Sequence, residues 1–374
     1  MYIRCIQTTN ILIPKLMQTQ IKQLDFTGQC FYAGIDVHKK SWQVSIYSEE
    51  LHHKTFNQPP KPVVLHGYLS THFPNGTYYS VYEAGFCGFW IHDQLKALGI
   101  NSIVVNPADV PTTDKEKKRK TDRVDSNKLA RHLRNGDLEA LYTHNRAVLE
   151  DRNLVRMRRT LVRELTRYKN RIKSDLNFFG IELPVQFSRN RSYWSKRFIG
   201  WLEELEHEKW TGTYSFRIIL KQVKTLREHL LEVNRKLQAL SGEAYYQKRE
   251  ALLKTLPGIG LTTAMVILTE IDDIHRFANQ GKLRSYVGLT PTSHSSGDID
   301  NHGEMIHRGN KNLKSAIIES AWMAARVDPV LHMDYINLCK RMKKNKAIVR
   351  IACKLLDRIH YVLKNEVPYK WGTP

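Results

Sequence analysis

No run of about 18 apolar residues occurs in the chain, so the sequence offers no helical membrane span. Cysteine is scarce. Cys5, Cys30, Cys87, Cys339 and Cys353 are scattered through 374 residues without paired spacing. That argues against a zinc site or a disulfide framework and fits a reducing cytoplasm. Acidic residues are in deficit: 37 Asp and Glu against 58 Lys and Arg give a formal net charge of +21. Such an excess suits a polyanionic partner, nucleic acid ahead of a membrane surface. Residues 1–30 lack a cationic start followed by a small-residue cleavage site, so they read as a poorly ordered extension and not as a secretory leader.

What remains is an ordinary soluble composition, 41% hydrophobic and 25% charged, in a chain long enough for two or three domains. From residue 31 the pattern alternates strand and helix. Tyr32–Asp36 and Trp42–Tyr47 read as strands joined by a tight polar turn, with a third strand around His53–Phe56. An amphipathic helix follows over Val63–Phe73, then the strand YYSVYE ending at Glu83. A helix over Phe89–Leu98 and a strand over Ser102–Asn106 complete the run.

Four carboxylates punctuate these elements. Asp36 ends the first strand, Glu83 ends a later one, and Asp122 and Asp125 lie three apart on one face of a helix. Acidic residues in the order Asp, Glu, Asp, Asp on strand, strand and helix are what a ribonuclease-H-type nuclease core needs to hold divalent metal. Magnesium prefers oxygen ligands, and a pair of such ions can hold both oxygens of a phosphoryl transfer. The run Asp114–Thr121 contains Lys117, Lys118, Arg119 and Lys120 directly before that helix. It fits either a solvated charged loop or a phosphate-contacting one, and its position favours the second.

From Asp151 to Phe179 an apolar stripe of Leu154, Leu161, Leu165, Tyr168, Ile172 and Phe179 marks a long helix. Its other faces are rich in arginine, with Arg156, Arg159 and Arg163 placed to meet phosphates. A second helix has a heptad seam, Ile219, Val223, Leu226, Leu230, Val233, Leu237 and Leu240. The seam fits pairing within one chain or between chains, and a dimerisation arm is expected. At LPGIGLTTA, Gly258 and Gly260 suit a helix-hairpin-helix turn whose free amides bind phosphate, or else a plain interhelical turn. Residues 282–312 are polar and aperiodic, which predicts a long functional loop. Helices are expected over Leu313–Arg326 and Leu331–Leu363.

Taken together, GIDVHKKSW, YEAGFCGFW, NPADVPTTDKEKKRKTDRVDSNKLA, LPGIGLTTA, LRSYVGLTPTSHSSGD and HRGNKNLKSAIIESAW, in that order, resemble the transposases of the IS110 insertion-sequence family, relatives of Piv-type DNA invertases. The resemblance implies an α/β ribonuclease-H/RuvC-like domain over 31–145 and a helical coiled-coil arm for oligomerisation over 146–248. It further implies a mainly α-helical transposase domain with a helix-hairpin-helix over 249–374. Carried over by residue, the acidic tetrad falls on Asp36, Glu83, Asp122 and Asp125, with Mg2+ or Mn2+ as cofactor. The nucleophilic serine falls on Ser296, with Ser295 as the alternative register, and basic residues beyond it include Arg308 and Lys311. Donor and target DNA, a structured non-coding guide RNA and a homo-oligomer are the implied partners. A metal-dependent junction-resolving nuclease using water, or a catalytically silent nucleic-acid binder, are the rival readings.

Overall fold

The computed structural model describes residues 24–113, 121–187, 193–296, 299–305 and 308–371, with 291–305 known by backbone alone. Its contacts divide the chain into two units, Met1–Thr143 and His144–Pro374.

The first unit is built on a five-stranded sheet. Strands β1 (Cys30–Val37), β2 (Trp42–Tyr47) and β3 (His52–Gln58) form an antiparallel meander; β4 (Thr77–Glu83) and β5 (Asn101–Val105) run parallel to β1, giving the order β3-β2-β1-β4-β5. Period-2 alternation assigns the faces. Phe31, Ala33 and Ile35 of β1 join Val44, Ile46, Leu65, Leu69, Ile91 and Leu95 in one core. That core packs beneath helices α1 (Pro62–His72) and α2 (Trp90–Ala97). The opposite face carries Tyr32, Gly34 and Asp36 and is covered by α3 (Asp122–Asn135), whose Leu129 packs with Val81, Val105 and Val110. Helix α3 starts where Thr121 accepts a hydrogen bond from the Val124 amide and stops at Gly136, in the left-handed conformation.

The ordered fold begins earlier than the sequence suggested. Phe26, assigned to the extension, donates its amide to the Pro74 carbonyl and packs edge-on against Phe31 and Phe73. A lone aromatic in a polar stretch carries no periodicity, so its burial was invisible before folding.

The second unit has nine helices and one hairpin among the described residues: α4 (Arg146–Phe178), α5 (Lys196–Glu204), α6 (Trp210–Ser241), α7 (Ala244–Lys254), α8 (Leu261–Ile271), α9 (Gln280–Val287), β6 (Pro291–Ser296), β7 (Ile299–Met305), α10 (Lys311–Val327), α11 (Pro329–Cys339) and α12 (Lys344–Asn365). Helices α4 and α6, each about 50 Å long, pair antiparallel within the chain. Leu165, Ile172 and Leu176 pack with Phe216, Leu220 and Val223 at one end, where Phe198 and Leu202 of α5 join them. Val155 packs with Leu237 and Leu240 at the other, inside the core of the remaining helices. The basal ends of the long pair and the helices after residue 249 therefore share one core. The apolar stripe of α4 also differs from expectation: Val155 and Leu176 are buried, whereas Phe179 is 54% exposed.

Two further differences lie near the carboxy terminus. The stretch 282–312, expected as a loop, contains most of α9 and the β6–β7 hairpin, in which Ser296 pairs with Ile299. The two strands, PTSHSS and IDNHGEM, carry no apolar alternation in their sequence, which hid them; the Gly-Asp dipeptide between Ser296 and Ile299 is the hairpin signal that was present. The helix expected over Leu331–Leu363 is two helices, α11 and α12, separated at Lys340–Lys343. Only Leu331 of α11 is buried, whereas α12 buries ten residues along one face. No helix among the described residues is long and apolar enough to cross a membrane.

Candidate active site

Asp36 and Glu83 are brought together by strand pairing. Ile35 is the partner of Tyr82 across the parallel β1–β4 ladder, so the next residues, Asp36 and Glu83, end neighbouring strands side by side. Parity places both on the α3 face: Asp36 follows Gly34, which faces α3, and Glu83 follows Val81, which packs with Leu129. This is the carboxyl end of the parallel strands, where open α/β sheets place ligands. Both side chains are half-buried.

Helix α3 supplies Asp122 and Asp125 in its first turn. The helix is held in register by buried polar contacts. Ser126 Oγ lies 2.9 Å from Ser45 Oγ, Ser45 Oγ lies 2.8 Å from Thr55 Oγ1, and Tyr47 donates to Asn127 Oδ1 at 2.9 Å.

His38 stands between the strand and helix carboxylates. Its Nε2 is 3.2 Å from Asp36 Oδ2 and 3.3 Å from Asp122 Oδ2. One ligand atom from each of Asp36, His38 and Asp122 lies within 4.8 Å of the others. Asp125 contacts Lys128 Nζ at 3.4 Å, and the Lys128 side chain is only 8% exposed. Burial pushes the Asp36 carboxyl above the usual carboxylate range; His38 pulls it back, and Asp122 and Asp125 add to the rise. A half-buried carboxylate crowded by two others, with hard oxygen donors converging from strand and helix, fits a divalent cation.

The sequence reading missed His38 and Lys128. His38 follows Asp36 by two residues and so shares its side of the strand end, a signal that the HKK turn concealed. Lys128 lies one turn beyond Asp125, where sequence alone does not distinguish a buried lysine from an exposed one.

In the second unit, Ser296 is the last residue of β6 and Ser295 pairs with Asp300; the side chains of this hairpin lie outside the described residues, as do Lys117, Lys118, Arg119 and Lys120. Gly258 has φ +77, and a Cβ there would come within 2.4 Å of the Ser320 carbonyl oxygen. Close packing of the α7–α8 turn on α10 thus requires glycine independently of any ligand. Gly260 is the N-cap of α8 with no side-chain cap, and a Cβ there would meet nothing within 4 Å.

The arginines of α4 have unequal surroundings. Arg156 donates from Nε and Nη2 to the two oxygens of Glu270, both at 2.7 Å. Arg159 donates to Asn312 Oδ1 and, at 3.4 Å, to the Lys311 carbonyl. Arg163 is exposed. With Arg158, Thr262, Thr263 and Ser315 these residues line an open cleft of ≈ 570 Å³. Arg308 and Lys311 are exposed beyond the hairpin.

Residues 33–180 match the DEDD-type IS110 transposase model, and residues 250–336 match the model described as transposase IS116/IS110/IS902 family. The chain is 33% identical over 307 residues to the putative transposase y4rJ of Sinorhizobium fredii, covering 74% of each chain. It is 25% identical over 256 residues to the transposase for insertion sequence element IS1533 of Leptospira borgpetersenii, covering 66% of this chain and 71% of the relative. A shorter match, 31% identical over 124 residues, joins it to the pilin gene-inverting protein of Moraxella bovis, with 32% of this chain and 38% of that protein covered. The protein belongs to the IS110 family of transposases.

Proposed function

We propose that this transposase cuts and rejoins DNA by attack of a serine hydroxyl, Ser296 in preference to Ser295, on a scissile phosphate. The observation that carries the reading is the convergence of Asp36 and Asp122 on His38, with Glu83 at the adjoining strand end and Asp125 on the same helix face. The four carboxylates would hold a divalent cation, magnesium or manganese, which would neutralise charge on the phosphoryl group and the departing 3′ oxygen.

A serine hydroxyl is a weak nucleophile and must lose its proton as it attacks. The Oγ–P bond forms as the P–O3′ bond breaks; the hydroxyl proton leaves and the 3′ oxygen gains one. The phosphodiester is conserved as a phosphoserine ester, so a second 3′ hydroxyl reverses the step and exchanges strands without ATP. Both the serine and the carboxylates must act at one phosphate for this chemistry.

Nucleic acid is held by phosphate contacts from Lys117, Lys118, Arg119 and Lys120, from the exposed α4 arginine Arg163, from the amides around Gly258 and Gly260 in a helix-hairpin-helix role, and from Arg308 and Lys311, whereas Arg156 is committed to Glu270. The net charge of +21 suits a polyanionic partner; donor and target DNA, and a structured guide RNA bound by shape and backbone, are the partners that the family resemblance implies. The long helix pair over 146–248 serves as an oligomerisation arm between the carboxylate domain over 31–145 and the serine-bearing region over 249–374. Exposed apolar side chains near its outer end support this, with Phe178 82%, Trp210 77% and Tyr214 62% exposed.

A covalent adduct assay tests the reading, in cells or extracts where the flanking DNA supplies any guide RNA. Adducts with donor and target duplexes that disappear in Ser296→Ala and Asp36→Ala, and persist in Ser295→Ala, support it. Cleavage without an adduct, indifferent to both serines, makes the protein a hydrolytic nuclease. Binding without cleavage, even with the guide supplied, makes it a silent binder.

A further inference from the structure

We propose that Glu270 is a positioning residue for the β6–β7 hairpin: its buried carboxylate holds the outgoing leg and its backbone carbonyl the incoming leg, fixing both to α8. This rests on the reading of that hairpin as the carrier of the nucleophilic serine.

The Glu270 side chain is 1% exposed, yet four donors converge on it. Arg156 of α4 takes both oxygens; Asn310 donates from Nδ2 to Oε2 at 2.7 Å, and Asn312 donates from Nδ2 to Oε1 at 3.3 Å. Burial alone would raise its carboxyl, but the hydrogen bonds from Arg156 and Asn310 and the charges of Arg156 and Arg152 outweigh that and hold it below the usual range. It is a fixed anion.

The same helix residue reaches both ends of the hairpin. On the incoming leg, the Tyr286 hydroxyl of α9 donates to the Glu270 carbonyl at 2.8 Å. On the outgoing leg, Asn310 bonds the Glu270 carboxylate and gives its own amide to the Tyr286 carbonyl at 2.9 Å. Between them the two legs touch backbone to backbone. A Cβ on Gly309 would stand 2.6 Å from Gly288 Cα, and one on Gly288 would stand 2.6 Å from the Arg308 carbonyl oxygen. Asn310 then starts α10, its Oδ1 accepting from the amides of Asn312 and Leu313.

Stability by itself does not call for this arrangement. Replacing a buried ion pair as a whole, both partners together, by well-packed apolar side chains is often neutral or stabilising, and Glu270 lies on a helix that also buries Met265, Leu268 and Ile271. What the carboxylate adds is direction, because four donors are satisfied at only one placement of α4 and α10, and Asn310 passes that placement to α9 through its amide bond to the Tyr286 carbonyl. An isolated two-stranded hairpin is marginal in water, and its orientation must come from its base. A serine nucleophile needs its oxygen placed to within a fraction of an ångström of the line of attack.

The test uses the full chain carrying Glu270→Gln or Asn310→Ser. The serine still caps α10 but does not reach Glu270, so it separates the clamp from the cap. Backbone amide exchange, DNA affinity and adduct formation are measured together. The expected result is exchange at least about tenfold faster at residues 292–305, with the amides of α8 and α10 unchanged. Adduct formation should fall at least about tenfold and DNA affinity stay within about threefold. Unchanged exchange in the hairpin overturns the proposal. So does exchange that rises uniformly across the second unit, which would make Glu270 a general stabiliser. A hairpin-limited response accompanied by adducts that ignore Ser295→Ala and Ser296→Ala keeps the clamp and removes the serine reading instead.

Discussion

A Cβ on Gly34 would stand 2.2 Å from the carbonyl oxygen of Ser126 and 2.3 Å from the amide nitrogen of Ala130. Helix α3 lies directly on strand β1 because that strand has no side chain at this point, and the contact sets Asp122 and Asp125 above Asp36. Gly34→Ala must lift the helix, at a cost of about 1–3 kcal/mol. Denaturation with and without magnesium checks it: magnesium should stabilise the wild type, and the variant should be less stable and gain less from the ion. Retention of the full magnesium effect would mean that the helix does not help to form the site.

Neutralising any one carboxylate, by Asp36→Asn, Glu83→Gln, Asp122→Asn or Asp125→Asn, should lower DNA cleavage on the order of 100-fold or more, with duplex binding largely kept. Asp36→Asn should not destabilise the metal-free protein, since burial and two neighbouring carboxylates oppose the Asp36 charge. A filter-binding titration beside single-turnover cleavage separates the two effects. Equal loss of binding and cleavage would assign the cluster a structural role.

Arg156 and Arg163 sit seven residues apart on one helix and should behave as opposites. Arg156→Ala strands the buried Glu270 carboxylate, at a cost of about 3–5 kcal/mol. Arg163→Ala should change stability by less than about 0.5 kcal/mol but weaken nucleic-acid binding, with the salt slope of log K reduced by about 0.9 for the lost phosphate. Urea melts and a salt series on both variants provide the comparison. A salt slope unmoved by Arg163→Ala would remove that residue from the interface.

Acid should weaken both units before the carboxylates titrate. The buried rings of His92 and His360 each have a nitrogen, Nδ1 and Nε2 respectively, without a hydrogen-bond partner among the described residues. Burial depresses both below the ordinary 6.5. The unfolded chain therefore binds more protons below that value, and the stabilisation, complete above 6.5, is lost as pH falls through the lowered folded values. Each group contributes at most about 1.4 kcal/mol per pH unit of that window. Melting temperatures from pH 7.5 to 5.5 should decline, and less steeply in His360→Gln. An identical slope in that variant would place the dependence on other groups.

The sequence reading found the strands and helices of the first unit within one or two residues because each carries its own period. YYSVYE alternates, and so puts Glu83 at a strand end; DRVDSNKLA has Thr121 before it and two carboxylates one turn apart. The long helices were also legible, since α4 and α6 write their seams every three or four residues. The β6–β7 hairpin was not, because its sequence, PTSHSS and IDNHGEM, carries no apolar alternation to read.

Local periodicity and charge determined the elements, the four carboxylates and the affinity for a polyanion. Only the tertiary structure decided what met what. Arg156 reads as one of several arginines placed to meet phosphates until α8 brings Glu270 against it from 114 residues away. His38 reads as a turn residue until α3 sets Asp122 within 3.3 Å. Gly34 reads as a weak point in a strand until a helix occupies the space its side chain would fill. A residue's preferred backbone is set by its neighbours within a turn or two, whereas its partner is chosen by packing between distant segments, which no local pattern records.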